Sequence, residues 1–266
     1  MSKLLFDNKK EYKLSGIQTN TILDNFYYYY DTEDNKIKPL NGIPKGGILH
    51  LVGTNGTGKS LLAANITANI IQKQKLLYIS TEVIAPLVYS KIKERCKILG
   101  LEFKENNLFI FDLASNTEAL YDIQILFNEI INLKQRIEFV IIDSLTAFYE
   151  NLENKARTIV RRIYNFFSKS GITGIFISQK RSSHEENTSE AAGGYAVAHI
   201  LDSTIVLIKK VIQNKWEEQE YKAIRGKMVR LIRVDDCRLS IHSTQEYIIK
   251  INEKGIFEVI GKREVV

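Results

Sequence analysis

The chain has 266 residues, of which 44% are apolar and 26% charged, with only 3 Pro. Such a composition excludes a disordered or fibrous chain and is sufficient for one sizeable buried core. The 37 basic and 31 acidic side chains leave a formal charge of +6, compatible with a polyanionic partner but too small to identify one.

Met1 to Lys13 lacks the apolar centre of a secretion signal, and no apolar run reaches the ~20 residues of a membrane span. Residues 1–45 form a lead-in. Within it, Tyr27 to Tyr30 reads either as a base-stacking platform or as a half-buried strand, and β-propensity favours the strand. The polar stretch from Asp31 to Lys38 reads as a loop.

From Gly46 onward, apolar runs alternate with helical patterns. Strands are predicted at Ile48–Val52, Leu76–Ser80, Leu108–Phe111, Phe139–Ile142, Gly174–Ser178 and Ile205–Ile208. Helices are predicted at Ser60–Ile71, after the strand Leu76–Ser80 through about Lys97, at Thr117–Leu133, and around Ala156. In the last of these, Leu152, Ala156, Ile159, Val160, Ile163, Phe166 and Phe167 share one face, with Arg157, Arg161 and Asn165 opposite. The rhythm predicts an α/β core over residues 46–210, a mostly parallel central sheet with helices on both sides. After Glu217, short apolar runs at Val229–Val234, Tyr247–Ile251 and Ile256–Val259 predict an antiparallel β extension over residues 211–266. The whole chain, 1–266, reads as one domain. Cys96 and Cys237 have no second ligand at metal spacing, so idle thiols in a reducing, cytoplasmic setting are expected.

Chemistry concentrates after the first buried strand. Gly53-Thr54-Asn55-Gly56-Thr57-Gly58-Lys59-Ser60 fits the phosphate-loop pattern in full, between a predicted strand and a predicted helix. The glycines let successive N–H groups turn toward phosphates, and the helix N-terminus adds partial positive charge. Lys59 is placed to reach the β/γ-phosphates of ATP, and the Ser60 hydroxyl to ligate Mg2+. Asp143, ending the apolar run Phe139–Ile142, is the expected second Mg2+ partner. Glu82 follows the strand Leu76–Ser80. If that strand lay beside the phosphate-loop strand, its carboxylate would orient the attacking water; otherwise it is a charge near a helix start.

The order of four segments carries a resemblance. These are Gly42-Ile43-Pro44-Lys45-Gly46-Gly47, Ile79-Ser80-Thr81-Glu82, Ile142-Asp143-Ser144-Leu145-Thr146 and Phe176-Ile177-Ser178-Gln179. With the phosphate loop they resemble the RecA/RadA/KaiC superfamily of P-loop ATPases, in particular archaeal RadA paralogues and single-domain KaiC-like proteins. The resemblance runs from about Gly16 to the C-terminus. It implies a RecA-like core, ATP and Mg2+ as cofactors, Glu82 as catalytic base and Gln179 as γ-phosphate sensor. It also implies DNA-facing loops at Tyr149–Arg157 and at Lys180–Ala192, the latter closed by Gly193-Gly194, with Arg157, Arg161, Lys180 and Arg181 as candidate contacts. Arg238 falls where KaiC-like rings send an Arg to a neighbour's ATP, but Asp236 stands where their Lys is expected.

The residues also mark departures. Residues 1–40 are too short for the helical domain of recombinases and contain no Phe-x-x-Ala linker, so a filament-forming recombinase is not expected. The loop from Arg181 to Glu190 sets Lys180, Arg181 and His184 against three Glu and has no aromatic for base stacking. Lys155, Arg157, Arg161 and Arg162 cluster on or beside one polar helix face, whose plain meaning is a solvated surface. The function expected is an ATPase acting as an accessory factor in DNA recombination and repair. Single-stranded DNA, and a homo-oligomer or a related RecA-family recombinase, are its expected partners. The alternatives are a KaiC-like regulatory ATPase without nucleic acid and a nucleotide-gated assembly ATPase.

Overall fold

Short aliphatic runs, bounded by glycine or polar residues, build the centre of the molecule. The computed structural model describes residues 14–150, 152–179, 197 and 199–263. The lead-in forms β1 (Gly16–Ile17), β2 (Tyr27–Asp31), β3 (Lys36–Pro39) and β4 (Ile43–Pro44). The core follows as β5 (Ile48–Gly53), α1 (Lys59–Ile70), β6 (Leu76–Ser80), α2 (Ala85–Ile98) and β7 (Leu108–Asp112). It continues with α3 (Glu118–Tyr121), α4 (Ile123–Asn132), β8 (Phe139–Asp143), α5 (Ala156–Lys169), β9 (Thr173–Gln179) and β10 (Ser203–Val211). The C-terminal part comprises α6 (Lys215–Tyr221), β11 (Met228–Cys237), β12 (Ile241–His242), β13 (Tyr247–Ile251) and β14 (Phe257–Lys262).

Nine strands form one sheet in the order β14-β13-β11-β10-β5-β9-β8-β6-β7. From β10 to β7 all neighbours are parallel. From β10 to β14 they are antiparallel. The expected α/β fold, a mostly parallel sheet with an antiparallel C-terminal extension, is therefore what the chain adopts. Alternation along β5 sends Leu49 and Leu51 to the face covered by α1 and α2, and Ile48 to the face covered by α4 and α5. Burial on both faces is why these strands read as unbroken apolar runs.

The tyrosine run is a strand of a small sheet ordered β12-β2-β3. Tyr27 is buried, and its hydroxyl bonds the Ser203 hydroxyl at 3.1 Å. The ring is thus core rather than a surface platform.

Five expectations need correction. The stretch from Asp31 to Lys38, expected as a loop, is a turn only over residues 32–35, since β2 runs to Asp31 and β3 pairs with it from Lys36. The helix predicted over Thr117–Leu133 is two helices, because Asp122 is extended and its carboxylate caps Gln124 N at 2.9 Å. A helix, α6, interrupts the expected strands after residue 211; Asn214 caps it by accepting from Glu217 N at 3.0 Å. Its 7 residues are too few for a periodic signal. Leu152 precedes α5 and is exposed, whereas Ala156, Val160, Ile163 and Phe167 are buried as expected. Finally, β6 does not lie beside β5, since β9 and β8 stand between them.

Candidate nucleotide site

The phosphate loop is closed on itself around a lysine. β5 stops at Gly53, where a Cβ would sit 2.4 Å from the Leu207 carbonyl oxygen. Gly56 and Gly58 take φ of +76° and +104°, a region side chains rarely enter, and Gly58 opens α1 as its N-cap. Lys59 Nζ donates to the carbonyls of Gly53 at 2.7 Å and Thr54 at 2.9 Å. Thr57 Oγ1 donates to Thr54 O at 2.9 Å. Burial lowers the Lys59 pKa, while Asp143 and Glu82 pull it back up.

The acidic side of the cleft comes from the ends of three other elements. Asp143 ends β8. Burial raises its carboxyl pKa, opposed by hydrogen bonds from Ser60 and Tyr78; the Tyr78 hydroxyl donates to Oδ2 at 2.9 Å. Thr81 Oγ1 accepts from Ser144 N at 2.8 Å and donates to Ser144 O at 3.1 Å. Thr81 N also donates to Asp143 O at 2.9 Å. These bonds tie the end of β6 to the end of β8. Glu82 Oε1 then accepts from Ser144 Oγ at 2.9 Å and from Gln179 Nε2 at 2.8 Å. Gln179 itself is anchored through its N–H to Thr146 Oγ1 at 3.1 Å.

Lys59, Ser60, Glu82, Asp143 and Gln179 line one cleft of about 380 Å³ with Asn55, Gly56 and Gly58. Glu82 thus reaches the phosphate loop although its strand is three positions from β5, because the ends of β6, β8 and β9 all open on the same edge. Glu82, Ser144 and Gln179 also line a second opening of about 390 Å³, with Thr146 and Glu150. The hydrogen-bonded pair Glu82–Gln179 is a wall shared by the two.

The donor set fits a magnesium nucleotide. The Lys59 ammonium has carbonyl partners from its own loop, the loop glycines leave no Cβ to obstruct phosphate, and Ser60 and the half-buried Asp143 line the same cleft. Sequence reading did not single out Tyr78, Thr81 or Ser144, whose roles appear only through contacts between strand ends. It also passed over Lys209, whose Nζ donates to Asn55 O at 3.4 Å. Lys209 lies opposite Arg230 across the β10–β11 ladder. A cation directly after the apolar run Ile205–Ile208, in the strand beside the phosphate-loop strand, is the signal that could have found it.

Other candidates lie away from the cleft. Arg157 and Arg161 are exposed on α5. Tyr149, at the start of the first candidate loop, is buried. Lys180, Arg181, the rest of the loop to Ala192, and Gly193-Gly194 lie outside the described residues. Arg238 follows β11, and its Nη2 donates to His199 O at 2.5 Å. Because β11 runs antiparallel to β10, Arg238 sits at the edge of the sheet opposite the phosphate loop. A larger concavity, about 670 Å³, lies between α4 and α5 and holds none of the cleft's chemistry.

A parallel sheet whose first βα turn is a phosphate loop, with carboxylates gathered at the same edge, defines a RecA-superfamily ATPase. Within it the chain belongs to the KaiC ATPase family, whose model matches residues 19–264. It is 24% identical over 226 residues to the DNA repair protein RadA of Aquifex aeolicus, covering 82% of this chain and 43% of that protein. It is 30% identical over 224 residues to the circadian clock oscillator protein KaiC of Thermosynechococcus vestitus, covering 80% and 39%. It thus spans less than half the length of either relative. UPF0273 protein PF1931 of Pyrococcus furiosus is 24% identical over 235 residues, with 81% and 86% covered. Among solved structures, KaiC-like protein PH0186 of Pyrococcus horikoshii OT3 shares the fold, with a TM-score of 0.65 at 17% identity over 93% of this chain and 99% of that one. No helix among the described residues is long and apolar enough to cross a membrane.

Proposed function

We propose that the chain binds MgATP in the phosphate-loop cleft and hydrolyses it. The supporting observation is that Lys59, Ser60, Asp143, Glu82 and Gln179, distant in sequence, line one cleft. In this reading the loop N–H groups and Lys59 hold the β- and γ-phosphates, and Ser60 and Asp143 hold Mg2+. The ion, when bound, neutralises charge on the phosphate oxygens. Glu82 orients the attacking water and takes its proton. Ser144 and Gln179 fix the carboxylate that does so. Gln179 is also the last residue of β9, so a change in its bond to Glu82 acts at the end of that strand. Glu82→Gln tests the assignment. Nucleotide binding is expected to persist while turnover falls by about 10²-fold or more; wild-type turnover would remove Glu82 from the mechanism.

On the finer question of role, the reading is a cytoplasmic accessory factor in recombination and repair that binds single-stranded DNA. Its support is the likeness to proteins named DNA repair protein RadA and the exposure of Arg157 and Arg161 on α5. A KaiC-like regulatory ATPase without nucleic acid is the second reading, favoured by the 30% identity to KaiC. In either reading Arg238 meets a nucleotide only on a neighbouring copy, since it lies at the far edge from its own cleft. The pairing of β12 with β2 supports treating the lead-in (1–45), core (46–210) and extension (211–266) as a single domain. ATP hydrolysis with and without single-stranded DNA, at low and physiological salt, separates the readings. Stimulation that fades with salt supports the first; indifference to DNA together with no binding supports the second.

A further inference from the structure

The turn between β13 and β14 is fastened to the helices of the nucleotide site by a buried guanidinium. Arg95, on α2, is only 5% exposed. Its Nε donates to Asn65 Oδ1 on α1 at 2.7 Å, and its Nη1 to Lys254 O at 2.7 Å. Its Nη2 reaches Gly255 O at 3.5 Å, and Asn65 Nδ2 donates to that same carbonyl at 2.9 Å. The turn is ordered from within as well: Asn252 Oδ1 accepts from Lys254 N and Ile256 N, each at 3.0 Å. Gly255 has φ +69°, and a Cβ there would sit 3.0 Å from Arg95 Nη1 and 3.3 Å from Leu61 Cδ1.

The strands on either side of this turn bear on the phosphate loop. A Cβ at Gly58 would meet Phe257 Cζ at 2.8 Å and Ile251 Cδ1 at 3.0 Å. Gly58 is the left-handed residue that opens α1. A continuous path of contact therefore runs from Arg95, through the turn, to the residue that shapes the phosphate cradle. The path bypasses Glu82, which Ser144 and Gln179 hold.

A guanidinium buried against neutral acceptors carries a desolvation penalty that apolar packing would avoid. Its fork, however, fixes the angle between three groups from two other elements, which apolar contact does not. We propose that Arg95 is a positioning residue for nucleotide binding, clamping the β13–β14 turn onto α1 so that Gly58 keeps the backbone geometry that receives phosphate. This rests on the reading of the cleft as the MgATP site. Loosening the clamp weakens nucleotide affinity and leaves the chemical step unchanged.

The test compares the 266-residue chain with its Arg95→Ala, Arg95→Lys and Gly255→Ala variants. Each is titrated with N-methylanthraniloyl-ATP in the presence of Mg2+, assayed for ATP hydrolysis and melted thermally. Loss of charge-assisted bonds predicts Kd and KM raised about tenfold in Arg95→Ala and Gly255→Ala, with kcat within about twofold. Arg95→Lys falls between, because it keeps the charge and loses the fork. If Arg95→Ala does not fold, the other two variants carry the comparison. A lowered Tm with unchanged Kd and KM, or a lowered kcat with unchanged Kd, overturns the clamp. A wild-type chain that binds no nucleotide overturns the underlying site as well, whereas tight wild-type binding insensitive to all three variants overturns the clamp alone.

Discussion

The edge of the sheet that carries the phosphate loop and the antiparallel flank treat charge in opposite ways. On the flank, charges satisfy one another: Arg263 bonds Glu220 at 2.5 Å and Glu246 at 2.8 Å, and Arg233 bonds Asp235 at 2.5 Å and Glu246 at 3.2 Å. At the phosphate-loop edge the charges meet neutral groups. Lys59 is held by two carbonyls, and Glu82 by a hydroxyl and an amide. A closed ion-pair network holds elements together, whereas charges restrained by dipoles keep capacity for an incoming ion of opposite sign. The same chain thus contains charges paired with one another and charges held by neutral partners, and the proposed MgATP reading draws on the second kind.

The largest expected effect separates the two directly. Lys59→Ala should weaken nucleotide binding by about 10²-fold or more through loss of its contact with the phosphates, with little change in the unfolding midpoint. A large loss of stability at unchanged affinity would place Lys59 with the structural charges instead.

His50 sharpens the comparison from inside the core. It lies fully buried in β5 with neither ring nitrogen hydrogen-bonded, and burial lowers its pKa from 6.5 to about 4. Below pH 6.5 the unfolded chain takes up a proton that the native chain refuses until about pH 4. Stability should therefore fall as pH drops through that window, by on the order of 3 kcal/mol. Urea unfolding across the window, with His50→Leu as the variant expected to flatten the slope, checks this.

Glu246→Gln is aimed at the flank. It should lower unfolding stability by about 1–3 kcal/mol, because two arginines lose a shared carboxylate that is largely buried. Nucleotide affinity should stay unchanged, and a parallel loss of affinity would join the two regions functionally. The smallest effect is expected at the surface. Arg157→Ala with Arg161→Ala should reduce single-strand affinity only a few-fold, with a shallower salt dependence measured by fluorescence anisotropy. An unchanged affinity would take α5 out of the DNA reading.

Much of the fold was legible because the parallel strands inside the sheet are buried on both faces and stand out as aliphatic runs between glycine and polar breaks. The misreadings have two physical causes: local signals too brief for periodicity to register, and contacts between strands that local pattern does not encode. Asp122 broke a long helical pattern by capping, and α6 was shorter than two helical turns. Tyr27 was readable as a strand residue, but only its bond to Ser203 explains its burial.

The phosphate loop was determined by the sequence alone, since its ligands are consecutive backbone groups whose conformation follows from where glycine stands. Asp143 came nearly as easily, as the polar end of an apolar run. Tertiary structure decided the rest. It brought Glu82 into the cleft from a strand that is not β5's neighbour, joined it to Gln179 across 97 residues, and seated the C-terminal turn on Arg95 and Asn65. Those contacts depend on strand order and on which strand ends share an edge, and both are set by packing over the whole sheet rather than by any local run of residues.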